Sequence, residues 1–239
     1  MFDTRAMATG HARTRAVELD ERADSATRRA GLRLVGERVT PMALAREQTL
    51  PVLGPLAPLF PEGALRRGSI VGVQGSGATS LAMAVAAGPS TSGAWTAVVG
   101  DPDLGLAAVG ELGVALERLL IVRPEPGNWS SALAALVGAV DVVIAAPRHR
   151  ISDTDARRMA ARLRERGSVL IHIGDRWPVG ADVQLDIAAG EWEGLGDGHG
   201  VLRSRRLDIQ GGGRGSASRP RQLELLVPGP GGAVAALAA

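Results

Sequence analysis

The stretch that most constrains this chain is Ile70-Val71-Gly72-Val73-Gln74-Gly75-Ser76-Gly77-Ala78-Thr79-Ser80-Leu81-Ala82-Met83. Ile70 to Gln74 reads as a short buried strand, the glycines after it fit a tight loop, and Thr79 to Ala87 has the Ala, Leu and Met content of a helix. In that order the three pieces bring backbone N–H groups and the positive end of a helix dipole around an anion. The phosphate-loop pattern G-x-x-x-x-G-K-[ST] can be laid on Gly72, Gly77, Ala78 and Thr79, so alanine stands where the pattern has lysine. Lysine reaches the β and γ phosphates as a compact charge, and alanine supplies neither charge nor donor. No register shift restores it, because all 27 basic residues of the chain are arginine.

Downstream, apolar runs alternate with helical ones. Strand character recurs at Trp95–Gly100, Leu119–Val122, Asp141–Ala146 and Ser168–Ile173. Helical segments fall at Leu104–Leu112 and Trp129–Val137, and Ser152-Asp153 caps an Arg-rich helix through Arg166. A Gly/Ser/Pro loop is expected at Gly88–Gly93. This alternation predicts right-handed βαβ units and an α/β fold with a mostly parallel central sheet flanked by helices. Past Gly174, the segments Asp182–Trp192, Gly200–Ile209 and Arg221–Val227 alternate in character between Gly-rich turns, which predicts an antiparallel C-terminal strand extension. The division expected is a polar, partly helical N-terminal arm over 1–47, one domain over 48–227 and a flexible tail over 228–239, with Gly211–Ser216 as a flexible loop.

Composition narrows the function classes. Without cysteine there are no disulfides and no thiolate metal sites, and His11, His149, His172 and His199 lack ligand spacing, so no metal is expected. A net charge of +2 is not that of a dedicated nucleic-acid binder. The N-terminus has no apolar leader and no stretch reaches membrane-spanning length, so a cytoplasmic location with no membrane contact is expected. Arg148, Arg150, Arg157, Arg158, Arg162, Arg164 and Arg166 are interleaved with Asp153, Asp155 and Glu165, which reads as a solvated helix face. Arg203, Arg205, Arg206, Arg214, Arg219 and Arg221 have only Asp208 as an acid among them, so a flexible arginine loop there could contact single-stranded DNA weakly or dock a partner. Gln222-Leu223-Glu224-Leu225-Leu226 looks like a clamp-binding pentapeptide but also fits a half-buried strand. Asp101 and Asp103 are read as helix caps, and Trp129, Trp177 and Trp192 as packing residues or interface anchors.

The order of several motifs resembles the RecA core over roughly Leu50 to Ile187. Arg67-Gly68-Ser69-Ile70-Val71 looks like the family's lead-in to its phosphate-loop strand. Leu112-Gly113-Val114 followed by Glu117 to Gly127 resembles "L-G-V … N-L-L … Q-P-D-T-G", and Ala139 to Ile144 resembles "A-V-D-V-I-V-V-D". The departures fall on catalytic positions: Ala78 for the lysine, Ala146 for the Walker B aspartate that holds the Mg²⁺ water, and Pro102 nearest the water-activating glutamate. The resemblance thus implies no catalytic residues and no cofactor. At Gly75, Ser76, Gly77, Ala78 and Thr79, residual phosphate binding and a mere fold relic both stay open.

A RecA-like chain of this size with an Arg/Gly-rich C-terminus resembles the ImuA-prime group of mutagenesis accessory proteins. That resemblance implies a non-catalytic partner of an ImuB-like, polymerase-related adaptor in damage-induced translesion synthesis. Through the adaptor it would work with an error-prone C-family polymerase and the sliding clamp. Two alternatives accompany it: a divergent DNA-dependent ATPase that uses an arginine for the lysine, and a cell-division inhibitor of the damage response.

Overall fold

The computed structural model describes residues 48–100, 104–147, 149–196 and 199–237. The expected N-terminal arm, Asp101-Pro102-Asp103 and Arg148 lie outside them. The chain divides at Glu47/Gln48 into two units.

After Gln48 the chain makes a small antiparallel pair, β1 (Thr49–Pro51) with β2 (Ala64–Arg66), bridged by a 3-10 turn at Gly54–Leu59. Repeated proline prevents a longer element here, and Leu56, Leu59, Phe60 and Leu65 are buried between the breaks. The main sheet then builds from β3 (Ile70–Gln74), α1 (Ala78–Thr91), β4 (Thr96–Val99), α2 (Leu106–Glu111), β5 (Leu119–Val122), α3 (Trp129–Val137), β6 (Val142–Ala145), α4 (Asp153–Arg166) and β7 (Val169–Ile173). The long strands β8 (Val183–Gly196) and β9 (His199–Gly213) follow, then β10 (Arg221–Leu226) and the two-residue β11 (Ala235–Ala236).

The nine strands lie in the order β11-β10-β9-β8-β3-β7-β6-β4-β5. Pairing is parallel from β8 through β5 and antiparallel from β8 outward to β11. Period-two alternation decides the layers. Val71, Val73, Val98, Val142, Ile144 and Ile171 face the core under α1, while Ile70, Ala97, Val99, Val143, Ala145 and Leu170 face the core under α3 and α4. Helix α4 starts as the sequence predicts, with Ser152 Oγ accepting from the Asp155 N–H at 3.1 Å.

Three expectations need correction. Helix α1 continues through Gly88 and Pro89 to Thr91, because Gly88 lets it close on the β1 chain: a Cβ there would lie 2.7 Å from Pro51 O. Gly211 to Gly213 are strand residues, paired with Leu185, Gln184 and Val183, and at Gly213 a side chain would strike Asp182 O. The segment 228–236 is a folded end of the domain: Pro228 O accepts from Arg205 N at 2.7 Å, and β11 pairs with β10.

Candidate functional site

β3 ends at Gln74 and α1 begins at Ala78, so the loop is Gly75, Ser76 and Gly77 alone. Gly72, which the phosphate-loop pattern uses as its first glycine, sits inside β3, paired with His172 of β7 and Gln184 of β8. The loop closes on itself: Ala78 N–H donates to Gly75 O at 3.2 Å, with Gly75 and Gly77 both at φ 102°. Only glycine takes that conformation without strain. A phosphate loop presents successive amides around its ligand, and here the turn is too short to wrap one while the Ala78 N–H points inward.

Arg205 closes the same place from the other end of the domain. It lies on β9 opposite Trp192 of β8, its Nη2 donates to Ser76 Oγ at 2.8 Å, and its guanidinium carbon stands 5.4 Å from the centre of the Trp192 ring. A Cβ on Gly77 would be 2.9 Å from Arg205 Nη1. The sequence puts Arg205 on the predicted Gly200–Ile209 strand and groups it with the flexible arginine loop as a contact surface, but gives no sign of this seat, since 129 residues separate the partners.

The expected arginine loop is not one surface. Arg203, Arg205 and Arg206 are strand residues of β9, and successive strand positions face opposite ways. Arg206 pairs with Glu224 at 2.8 Å, Arg214 with Asp182 at 3.3 Å and with Val179 O at 3.0 Å, and Arg221 donates to Arg219 O at 3.1 Å. Gln222–Leu226 is β10 itself, hydrogen-bonded to β9 and β11 with Leu225 fully buried, so it is not a free peptide for a clamp.

The third seat is the corner between the ends of β4 and β6. Ala146 follows β6 and presents no carboxylate. Trp129, first residue of α3, is buried there, and a Cβ on Gly100 would lie 3.1 Å from its Nε1 and 2.9 Å from Ala146 O. His149 meets the Trp129 ring edge-on, with centroids 5.0 Å apart. Trp177 is likewise core, in T-shaped contact with His172 at 5.0 Å, while Trp192 is 43% exposed. Burial pushes the His172 imidazole down to about 4, against the opposing pull of the Asp175 carboxylate, so it is neutral near pH 7. A polar cleft of about 650 Å³ lies beside His172, between the ends of β6 and β7.

These residues do not fit a magnesium-bound triphosphate: the loop is shortened to Gly75, Ser76 and Gly77, Arg205 is seated on Ser76, the chain has no lysine, and Ala146 stands at the end of β6 where a carboxylate would hold the metal water. Among the described residues no three His, Asp or Glu converge on a metal position. The α4 arginines are solvated, as read: Arg157, Arg158, Arg162, Arg164 and Arg166 are exposed opposite buried Ala156, Met159, Ala160 and Leu163.

The architecture is that of a RecA-like α/β domain. It superposes on the crystal structure of the flagellar accessory protein FlaH from Methanocaldococcus jannaschii with a TM-score of 0.55 at 13% identity, covering 80% of this chain and 99% of that one. Residues 58–179 match the MT3502 N-terminal domain, and the chain belongs to that family. Rv3395c of Mycobacterium tuberculosis, described as uncharacterized, is 34% identical over 152 residues, spanning 58% of this chain and 72% of that protein. Among the described residues no helix is long and apolar enough to cross a membrane.

Proposed function

We propose that this protein is a non-catalytic RecA-like accessory factor that acts by protein–protein contact, with an ImuB-like polymerase-related adaptor in damage-induced translesion synthesis as its partner. The observation that carries the reading is the way the loop is satisfied from within the chain, by Gly75 O and by Arg205, where a nucleotide enzyme leaves donors free for substrate. A second feature supports a contact role. Past Asp186 on the β3 side and Arg205 on the β10 side, the β8–β9 ribbon has no strand paired to its outer edges among the described residues, and its end exposes Trp192, Leu195, Val201 and Leu202. Apolar side chains at an uncovered ribbon end are the usual anchors of an interface. The test is co-purification with the adaptor encoded by the same host: a complex is expected, and L195D/V201D is expected to abolish it. No association between the two purified proteins sinks the partner assignment.

One observation favours a second reading, a divergent ATPase in which an arginine replaces the lysine. Arg205 sits on the loop, from the same chain. Turnover of Mg²⁺-ATP by the purified protein with DNA, lost in R205A, would establish that reading over ours.

A further inference from the structure

At the end of the strands opposite the glycine loop lies a cleft of about 320 Å³, formed by β2, the lead-in to β3, the last turn of α4 and the turn after β9. Its floor is apolar, with Phe60, Leu65 and Val183. Four guanidinium groups surround it. Arg67 is held by Asp141 at 3.0 Å and by Gly167 O, and Arg214 by Asp182 and Val179 O. Arg66 and Arg164 are exposed, and neither forms an ion pair or side-chain hydrogen bond among the described residues.

The place of Arg164 is built into the fold. Gly68, at φ 78°, lets the backbone of α4 come so close that a Cβ on Gly68 would lie 3.0 Å from Arg164 Cα. Of the two acids that line the cleft among the described residues, Asp182 is committed to Arg214 and to the Ile70 N–H at 2.8 Å, which leaves Glu62 against the exposed Arg66 and Arg164.

We propose that this cleft receives an acidic segment of a partner protein, one apolar side chain resting on the floor and carboxylates meeting Arg66 and Arg164. The guanidinium fork matches a carboxylate in two parallel hydrogen bonds, and both arginines line the same cleft as apolar Phe60, Leu65 and Val183, the mixed lining that an acidic–apolar peptide complements. A single nucleic-acid strand fits less well, because it seeks exposed aromatic faces for its bases and the one aromatic among the described residues that line the cleft, Phe60, is 3% exposed. This inference stands apart from the adaptor reading and survives its failure.

The experiment is selection of random displayed peptides on the full chain, followed by anisotropy titration of the enriched peptide against wild type, R66E/R164E, the milder R66Q/R164Q, and R158E. The last makes the same charge change at an exposed α4 position that does not line the cleft. Expected are sequences joining Asp or Glu to Leu, Ile or Phe, with affinity falling at least about tenfold in R66E/R164E, less in R66Q/R164Q, and unchanged in R158E. Enrichment of basic or neutral peptides, no enrichment, or indifference to R66E/R164E would overturn the proposal. Tight binding of an oligo(dT) strand that R66E/R164E abolishes would overturn it in favour of nucleic acid.

Discussion

The two ends of the parallel strands differ in how their polar groups are satisfied. At the end where β3 turns into α1, Ala78 N–H is taken by Gly75 O, Ser76 Oγ by Arg205, and the corner by Trp129. At the opposite end Arg66 and Arg164 stand exposed with no partner among the described residues, although Asp141 and Asp182 neutralise their neighbours. A fold can keep the backbone of a ligand site and still close it from inside, because each donor met by its own chain is one that a ligand would have to displace. Open chemistry then has to be sought elsewhere on the same scaffold.

The contrast is broken most severely at Trp129. W129A should cost about 3–5 kcal/mol, as expected for emptying a buried aromatic site, and should bring no Mg²⁺-ATP turnover. Urea unfolding with a parallel ATPase assay checks both; a loss below about 1 kcal/mol would mean that the indole does not fill the corner.

His172 tests the same closed end by pH. Its folded value, about 4, lies below the ordinary 6.5, so the unfolded chain takes up the proton first as pH falls. Stability from this group is complete above pH 6.5 and should decline by about 3 kcal/mol as pH drops toward 4. Unfolding midpoints across that range should show the slope in wild type and a flatter one in H172Q.

Smaller effects sharpen the picture. R205A removes one hydrogen bond and a ring contact from a partly exposed residue and should cost about 1 kcal/mol, with a shift in Trp192 fluorescence. R157A breaks only the exposed 3.6 Å pair with Asp153 and should move the midpoint by under about 0.5 kcal/mol.

Local signals were legible where they needed only near neighbours. The start of β3, the Ser152 cap and the span of α3 follow from adjacent residues, and the observed elements begin within a residue or two of where the sequence places them. The Gly88–Gly93 loop and the 228–239 tail misled, because glycine and proline read as breakers unless one knows what backbone approaches them. At Gly88 it is the β1 chain, and at Gly229 the N–H finds Ala233 O at 2.7 Å. The arginine set misled for a related reason: composition groups Arg205 with Arg206, while a strand turns them to opposite faces.

What the sequence alone determined is the order strand, glycine turn, helix, the lack of any lysine to serve that turn, and the βα alternation that makes the sheet parallel; all follow from residue identity and spacing along a few turns of chain. The tertiary structure decided that Gly72 belongs to a strand, that Arg205 reaches Ser76, and that Trp129 occupies the corner beside Gly100. Those outcomes depend on which strands become neighbours and in what register, and pairings between segments tens of residues apart leave no periodic mark in either segment.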